Sequence, residues 1–584
     1  MPSKSFPVVG VVGLGAVGSA LAAMIARSGR RVLCAEADGY ALAEGRARVA
    51  QALDQLGTPD AGNLVAYTIA PAAFAQAHLV IEALPENLDL KVDVLRRANA
   101  CCRPDAVLAT TTTGFAVTEI AARCGRVDRT VGLHVGNPGA VAETSVVEVV
   151  HTPLTGSSVR HDVAEFVADL GLTTVAVGDN PGFLGGALTL SYLNSAAVML
   201  GQGYATRDDI DSAMTLGCRM PIGPLAHLDA LGIDMVVDSL TALAARTGDR
   251  GFRPAPVLSS MVGAGLLGRK SGRGFYRYGS DDASAPTPAP RRRGAAIRRI
   301  GLLGSGTMAT GIAEVCAAAG FPTTLVARTA VRAKEATAAI ERSLQRGVRR
   351  GRITDDQLAA IVTRFNATTE LGAIAACDVV IEAVREDLRA KQDVFAQLDQ
   401  ATRPGTVLAT TTSSLPVGRC ADATGRPEDV IGLHFFNPAP AMRLVEVTRT
   451  PLTSDKTAAT ALRLVSALGK HPVCCQDRTG FIVNALLFPY LNRAVNMIGQ
   501  GCATTDELDT IMVGAHGYPM GPLRLLDMIG LDVSLEILER LYDTFGEPEL
   551  FPAKHLRELV MAGHLGYKTG RGFHVHDPGG PGQR

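Results

Sequence analysis

The chain has 584 residues, enough for several domains. Its 57 Lys and Arg balance 57 Asp and Glu, which excludes nucleic-acid binding driven by overall charge. With 47% hydrophobic and 20% charged residues the chain is not disordered, and with no Trp its cores are mainly aliphatic.

In chain order, the first element is a short apolar run, Val8–Val12, followed by the glycine turn Gly13–Gly18 and a helical pattern to about Arg27. A second strand, Arg31–Ala35, ends at Glu36. The uncharged stretch after Lys4 imitates a signal peptide or membrane span, but glycines at 10, 13, 15 and 18 interrupt it. A strand–turn–helix–strand unit with Gly13, Gly15, Gly18 and an acid closing the second strand is a dinucleotide fingerprint. The first glycine permits the turn, the second lets a pyrophosphate approach, and the third allows close helix packing. The phosphates are expected at the helix N-terminus, where free N–H groups favour anions. Strands follow at Leu79–Glu82, Val107–Thr110 and Thr130–Leu133, separated by helical segments. Alternation of this kind predicts a doubly wound parallel sheet. After Pro181–Leu188 the pattern changes to long amphipathic helices.

The chain then repeats itself. VIEALPENLDLK (from Val80) returns as VIEAVREDLRAK (from Val380), and GLHVGNP (from Gly132) as GLHFFNP (from Gly432). MPIGPLAHLDALGID (from Met220) returns as YPMGPLRLLDMIGLD (from Tyr518). The order is constant and the offset stays near 300, so a two-domain unit of about 280 residues is duplicated. The copy of the opening stretch, at 297–320, lies mid-chain and carries Arg298, Arg299 and Glu314, which argues against a leader or membrane span. The Pro-, Ala- and Arg-rich run between the copies is a linker. The expected architecture is α/β plus all-α, with a Rossmann-type domain at 1–181, a helical domain at 182–278, the linker at 279–296, a second Rossmann-type domain at 297–479 and a second helical domain at 480–577. The eleven cysteines have no CxxC or other metal-ligand spacing, so reduced structural thiols, no metal and a cytoplasmic location are expected.

GLHFFNP with LVEV, TTTSSL, and TGFIVNALL before GYPMGPLRLLD resemble the L-3-hydroxyacyl-CoA dehydrogenases over nearly the whole chain, twice. Oxidising a secondary alcohol needs a base for the hydroxyl proton and a hydride acceptor. Imidazole is the side chain whose ordinary pKa suits the first task, and His434 is the candidate. Glu446, twelve residues on across a Pro-containing turn, sits where a neighbouring strand could orient that imidazole. The resemblance makes His434 and Glu446 the catalytic pair and gives Ser413 and Asn484 the substrate oxygen. It also places Glu386 and Lys391 near the nicotinamide ribose and Ser343 and Arg350 on the CoA phosphates. Arg342, Arg346, Arg349 and Arg352 surround the last pair, as polyphosphate recognition requires. It implies NAD or NADP as cofactor, an acyl-CoA substrate and pairing through helical domains, while the balanced charge and the mid-chain repeat of the opening stretch leave no nucleic-acid or membrane partner expected. The two copies would then form an intramolecular pseudo-dimer, with a further homo-oligomer also open. The expected reaction interconverts 3-hydroxyacyl-CoA and 3-oxoacyl-CoA in fatty-acid or related metabolism. A hydroxy-acid or sugar-acid dehydrogenase of the same fold is the alternative enzyme, and a non-catalytic binding module the alternative role for the first copy.

The second copy has Gly304 and Gly306, but Ala327 and Arg328 stand where its acid should be, a pattern that suits a ribose 2′-phosphate. The first copy keeps Gly13, Gly15, Gly18, Glu36, Glu86, Lys91 and His134. Its serine is replaced by Thr113, which keeps a hydroxyl, and its asparagine by Gly186. His134 and Glu148 are 14 residues apart rather than 12. From Gly13 to Glu86 is 73 residues where Gly304 to Glu386 is 82, so the CoA-clamping region is shortened and only Arg46 and Arg48 remain near it. These differences predict a degenerate or re-specialised first copy.

Overall fold

A computed structural model describes residues 5–136, 145–279 and 296–576. Nearly all of the expected linker therefore lies outside the described residues. The first copy contains strands β1 (Val8–Val12), β2 (Arg31–Ala35), β3 (Val65–Thr68), β4 (Leu79–Glu82), β5 (Val107–Thr110), β6 (Thr130–His134), β7 (Val146–His151) and β8 (Thr173–Gly178). They form one sheet in the order β3-β2-β1-β4-β5-β6-β7-β8. The second copy repeats it with β9 (Ile300–Leu303), β10 (Thr323–Val326), β11 (Phe365–Thr368), β12 (Val379–Glu382), β13 (Val407–Thr410), β14 (Val430–Phe435), β15 (Leu444–Arg449) and β16 (His471–Gln476). Helices cover both faces, so β4, β5, β12 and β13 are buried throughout, and their apolar runs read as central parallel strands.

The sheets depart from the all-parallel expectation at one pair in each copy, β6–β7 and β14–β15, which run antiparallel. Between β14 and β15 lie only residues 436–443, too few for a parallel crossover of a dozen or more residues. This reversal places His434 directly opposite Glu446, and His134 opposite Glu148. The two extra residues of the first copy fall in the connection at 137–144, outside the described residues. The longer spacing therefore leaves the pairing register unchanged, contrary to its reading as erosion.

The helical domains begin with the long helices Gly185–Gly201 and Val483–Gly499. Both are almost wholly buried, and they pack against each other in a single apolar core shared by the two copies. Tyr192 and Tyr490 meet there with ring centroids 6.0 Å apart. The contacts are reciprocal. Helix Arg207–Gly217 of the first copy covers β15 and β16, where Asp209 accepts the Cys474 N–H at 2.9 Å. Helix Thr505–Gly514 of the second copy covers β7, where the Ser145 N–H donates to the Gly514 carbonyl at 3.0 Å. Arg493 pairs with Asp249 at 2.8 Å. Among the described residues no helix is long and apolar enough to cross a membrane.

Burial, aided by the charge of Arg160 or Arg269, lowers the pKa of His151 and His227 to about 4. The unfolded chain takes up a proton at each near pH 6.5, and the folded chain does not until about pH 4. Stability is therefore fully present above pH 6.5 and falls as pH drops through this window, by about 2 kcal/mol at pH 5 for the deeply buried His227 and by less for the half-buried His151. His227→Leu, which installs the residue found at the equivalent Leu525, is expected to flatten the pH dependence of urea midpoints between pH 7 and 5. An unchanged slope would contradict this.

Candidate active site

Both copies build the same site from the same elements. The turn after β9 holds Gly304 in the left-handed region (φ +128°), where an added Cβ would fall 2.3 Å from the Ala383 carbonyl oxygen. A Cβ on Gly306 would meet no protein atom within 4 Å, so the space above the turn is open to a ligand. Gly306 leads into helix Thr307–Ala318 without a side-chain cap, which leaves the first N–H groups free for phosphate. In the first copy Gly13 (φ +88°) and Gly15 do the same, and a Cβ on Gly18 would collide with the Gly13 carbonyl. The residues thus fit a dinucleotide in both copies.

The second strands end differently. Glu36 and Ala327 are matched by backbone, each donating its N–H to a third-strand carbonyl, Thr68 or Thr368. The Glu36 carboxylate accepts the Leu14 N–H within the glycine turn. Ala327 is buried and offers no acceptor, while Arg328 is exposed beside it with no ion pair among the described residues.

Across the antiparallel pair, His434 Nδ1 lies 2.6 Å from Glu446 Oε2. Glu446 is fully buried, and its other oxygen accepts the Ile482 and Val483 N–H groups at 3.0 and 2.9 Å, where helix Val483–Gly499 begins. With Oε1 occupied by those two N–H groups, Oε2 is left to accept from the imidazole, so Nδ1 carries the proton and Nε2 faces the cleft as an acceptor. Ser413 Oγ sits 3.1 Å from that Nε2, and Asn484 Nδ2 donates to the Ser413 carbonyl at 3.2 Å. Phe436 and Phe481 flank the imidazole with ring centroids 4.6 and 5.6 Å away. The four residues singled out from the sequence thus converge on one point.

Glu386 anchors the loop that carries Ser413. Its Oε1 accepts the Thr412 hydroxyl at 2.6 Å and the Ser413 and Ser414 N–H groups at 2.9 and 3.1 Å. Burial acts to raise its pKa, but Lys391 and these hydrogen bonds outweigh it and hold the carboxyl below its usual value. Lys391 is buried and bonds Glu382 at 2.8 Å, closer than Glu386 at 3.3 Å. Glu382, which also accepts the Thr410 hydroxyl at 2.7 Å, escaped the sequence reading although it lies in the repeated VIEA motif. Arg540 escaped it as well: it donates to Ser414 Oγ at 2.7 Å and to the Glu386 carbonyl at 2.8 Å from 126 and 154 residues away. Its first-copy equivalent is Ala242, which touches Gly114 where the second copy has Ser414.

The region expected from the sequence to hold the CoA phosphates differs most between the copies. In the second copy helix Ala330–Arg349 is followed by helix Asp355–Val362. Ser343 lies on the inner side and hydrogen-bonds Glu314, whose pKa burial raises. Arg350 is exposed at the helix C-cap, and it and Arg342, Arg349 and Arg352 form no ion pair among the described residues. In the first copy the helix is shorter, Gly39–Gln55, and a 3-10 turn, Pro59–Leu64, replaces the second one. Arg46 stacks on Tyr67, and Arg48 bonds Glu44 at 2.7 Å and the Leu14 carbonyl at 3.2 Å.

The first copy keeps its His–Glu pair, with His134 Nδ1 2.8 Å from Glu148 Oε1. Thr113, however, turns its methyl toward Gly186: a Cβ there would fall 2.8 Å from Thr113 Cγ2. The site cannot take an asparagine as it stands.

Family models for the NAD binding domain of 3-hydroxyacyl-CoA dehydrogenase match residues 8–180 and 299–478, and models for its C-terminal domain match 182–278 and 480–576. The chain belongs to the 3-hydroxyacyl-CoA dehydrogenase family. It carries the two-domain unit of that family twice. A 3-hydroxybutyryl-CoA dehydrogenase of Mycobacterium tuberculosis is 42% identical over 48% of this chain and 99% of its own length. The mitochondrial hydroxyacyl-coenzyme A dehydrogenase of Rattus norvegicus is 39% identical over 48% of this chain and 91% of its own. A 3-hydroxybutyryl-CoA dehydrogenase structure from Escherichia coli covers 95% of this chain and 98% of its own, with a TM-score of 0.64 at 22% identity, a likeness of fold alone.

Arg540→Ala is expected to loosen the Ser413 loop, lowering stability by about 1–3 kcal/mol and kcat/KM about 10- to 100-fold. Urea denaturation and initial rates would show this, and an unaltered kcat/KM would contradict it.

Proposed function

We propose that the second copy is the working unit of an NAD-dependent dehydrogenase that interconverts 3-hydroxyacyl-CoA and 3-oxoacyl-CoA. The observation that carries this reading is the convergence of Glu446, His434, Ser413 and Asn484 beside an open glycine turn. His434 Nε2 takes the proton of the substrate 3-hydroxyl as hydride leaves C3, and Glu446 stabilises the imidazolium so formed. Ser413 and Asn484 hold the substrate oxygen in line with the imidazole. The nicotinamide, when bound, supplies the hydride acceptor. In reduction the same imidazolium returns its proton to the 3-oxo oxygen. Unpaired arginines at 342, 349, 350 and 352 favour a CoA thioester over a free hydroxy acid, and we assign Ser343 and Arg350 to its phosphates.

The first copy lacks the asparagine and the Ser414–Arg540 contact, and in its shortened clamp region Arg46 and Arg48 are engaged by Tyr67, Glu44 and the Leu14 carbonyl, so it is read as non-catalytic toward acyl-CoA. Reciprocal packing of the helical domains supports an intramolecular pseudo-dimer in which the first copy buttresses the second. His434→Ala is expected to lower kcat by about 100- to 10,000-fold, while His134→Ala leaves turnover near wild type. Cofactor reduction followed at 340 nm tests the pair, and equal damage from both variants would overturn the assignment.

The absence of an acid at Ala327, with Arg328 beside it, supports acceptance of a ribose 2′-phosphate in the second copy. Turnover with NADP+ is expected as well as with NAD+. Ala327→Glu should shift the kcat/KM ratio toward NAD+ by about tenfold, or about 1.4 kcal/mol. No measurable rate with NADP+ would remove this proposal.

A further inference from the structure

The first copy's pocket is completed by the second copy. A cavity of about 470 Å³ runs from Gly13 and Glu36 past Glu86 to His134, and its far wall includes His516. His516 lies in the turn just after helix Thr505–Gly514 of the second copy. Where the second copy has Phe436, Val483 and Asn484 around its own histidine, the first has Gly136, Gly185 and Gly186. A Cβ on Gly185 would fall 2.1 Å from His516 Nε2, and one on Gly136 2.7 Å from it. Two of these glycines are therefore what admits the imidazole. The matching position in the first copy is Cys218, half-buried and near Glu446, so the second copy receives a thiol where the first receives an imidazole.

His516 is held as a metal ligand is held. Its Nδ1 lies 3.0 Å from the Thr189 hydroxyl, and its Nε2 is buried with no partner. Burial first, then the neighbouring His134 and His227, keeps the ring neutral by pulling its pKa well below the usual value. If Nδ1–H donates to Thr189, the lone pair of Nε2 points into the site, the second-sphere arrangement typical of ligating histidines. An unpaired buried nitrogen otherwise costs about 1–3 kcal/mol. One donor atom each of His134, Glu148 and His516 lies within 4.8 Å of the other two. His227, which replaces Leu525 of the second copy, also has a buried Nε2 without a partner and lies close enough to influence His516.

We propose that His134, Glu148 and His516 bind a divalent cation of the zinc class in the first copy. Imidazole and carboxylate donors are those zinc prefers. The cation takes the place of the proton shared by His134 Nδ1 and Glu148, which lie 2.8 Å apart and open by about 0.5 Å to hold it. That proton moves to His134 Nε2. Donor atoms around tetrahedral zinc are about 3.3–3.5 Å apart, so His516, within 4.8 Å of the pair, closes on it by up to about 1.5 Å. The open position faces the cavity and takes water or a ligand. His134 Nε2 then carries a proton and cannot serve as a base, so this copy is withdrawn from alcohol oxidation. The sequence shows no metal motif because the ligands span both copies.

The full, untagged chain is stripped with a chelator and titrated with zinc by calorimetry, and separately with Co(II) followed by visible absorption. One equivalent is expected to bind tightly to wild type and to His434→Ala. His516→Gln and His134→Gln should lose it, while acyl-CoA turnover by His516→Gln stays at the wild-type rate. Thr189→Val preserves side-chain volume and is expected to weaken binding about 10- to 100-fold, which tests the site even where His516→Gln does not fold. Wild type without a stoichiometric equivalent, or undiminished binding in both His516→Gln and Thr189→Val, would overturn the proposal.

Discussion

The site depends on one constraint: the reversal of chain direction between β14 and β15. Opposed residues of an antiparallel pair share a face, so the reversal sets the Glu446 carboxylate against the His434 imidazole without a long side-chain reach. The beginning of helix Val483–Gly499 then grips the other carboxylate oxygen, tying the Rossmann-type sheet to the helical domain at the candidate site. Ser413 and Asn484 come to the same point because the β13 loop and this helix converge on it. A shift in either domain would be felt as a change in the imidazole's hydrogen bonds.

Duplication lets the two copies be compared under nearly identical constraints. Both preserve the cross-strand pair, the buried Lys–Glu contact after the β4 or β12 strand, and the open glycine turn. They differ in what surrounds these parts. The second copy adds Arg540, Ser414 and an unpaired arginine stripe. The first spends its arginines on Tyr67 and Glu44 and makes room for an imidazole from its neighbour. Divergence has worked on the shell while the sheet that positions the pair stayed fixed.

Much of this was legible in the sequence because its signals are local. The glycine turns, the strand ends and the His–Glu pair each lie within one short motif or across one turn. The 14-residue spacing misled because the extra residues sit in a connection and leave the register intact. Arg540 and His516 meet their partners across 126 and 327 residues of chain, so no spacing rule finds them, whereas Glu382, 9 residues from Lys391, is masked by reading as the last residue of a buried strand. Thr113 shows a subtler limit: its hydroxyl suggested a kept function, but its methyl is what faces Gly186.

The central claim is that each chain has one centre turning over acyl-CoA, in the second copy. A pre-steady-state burst measurement with NAD+ and 3-hydroxybutyryl-CoA both saturating and in excess of enzyme tests it most directly, by the amplitude of the first rapid phase of NADH formation. The account predicts one equivalent of NADH per chain, abolished by His434→Ala. Two equivalents per chain, or one that survives His434→Ala, would contradict it.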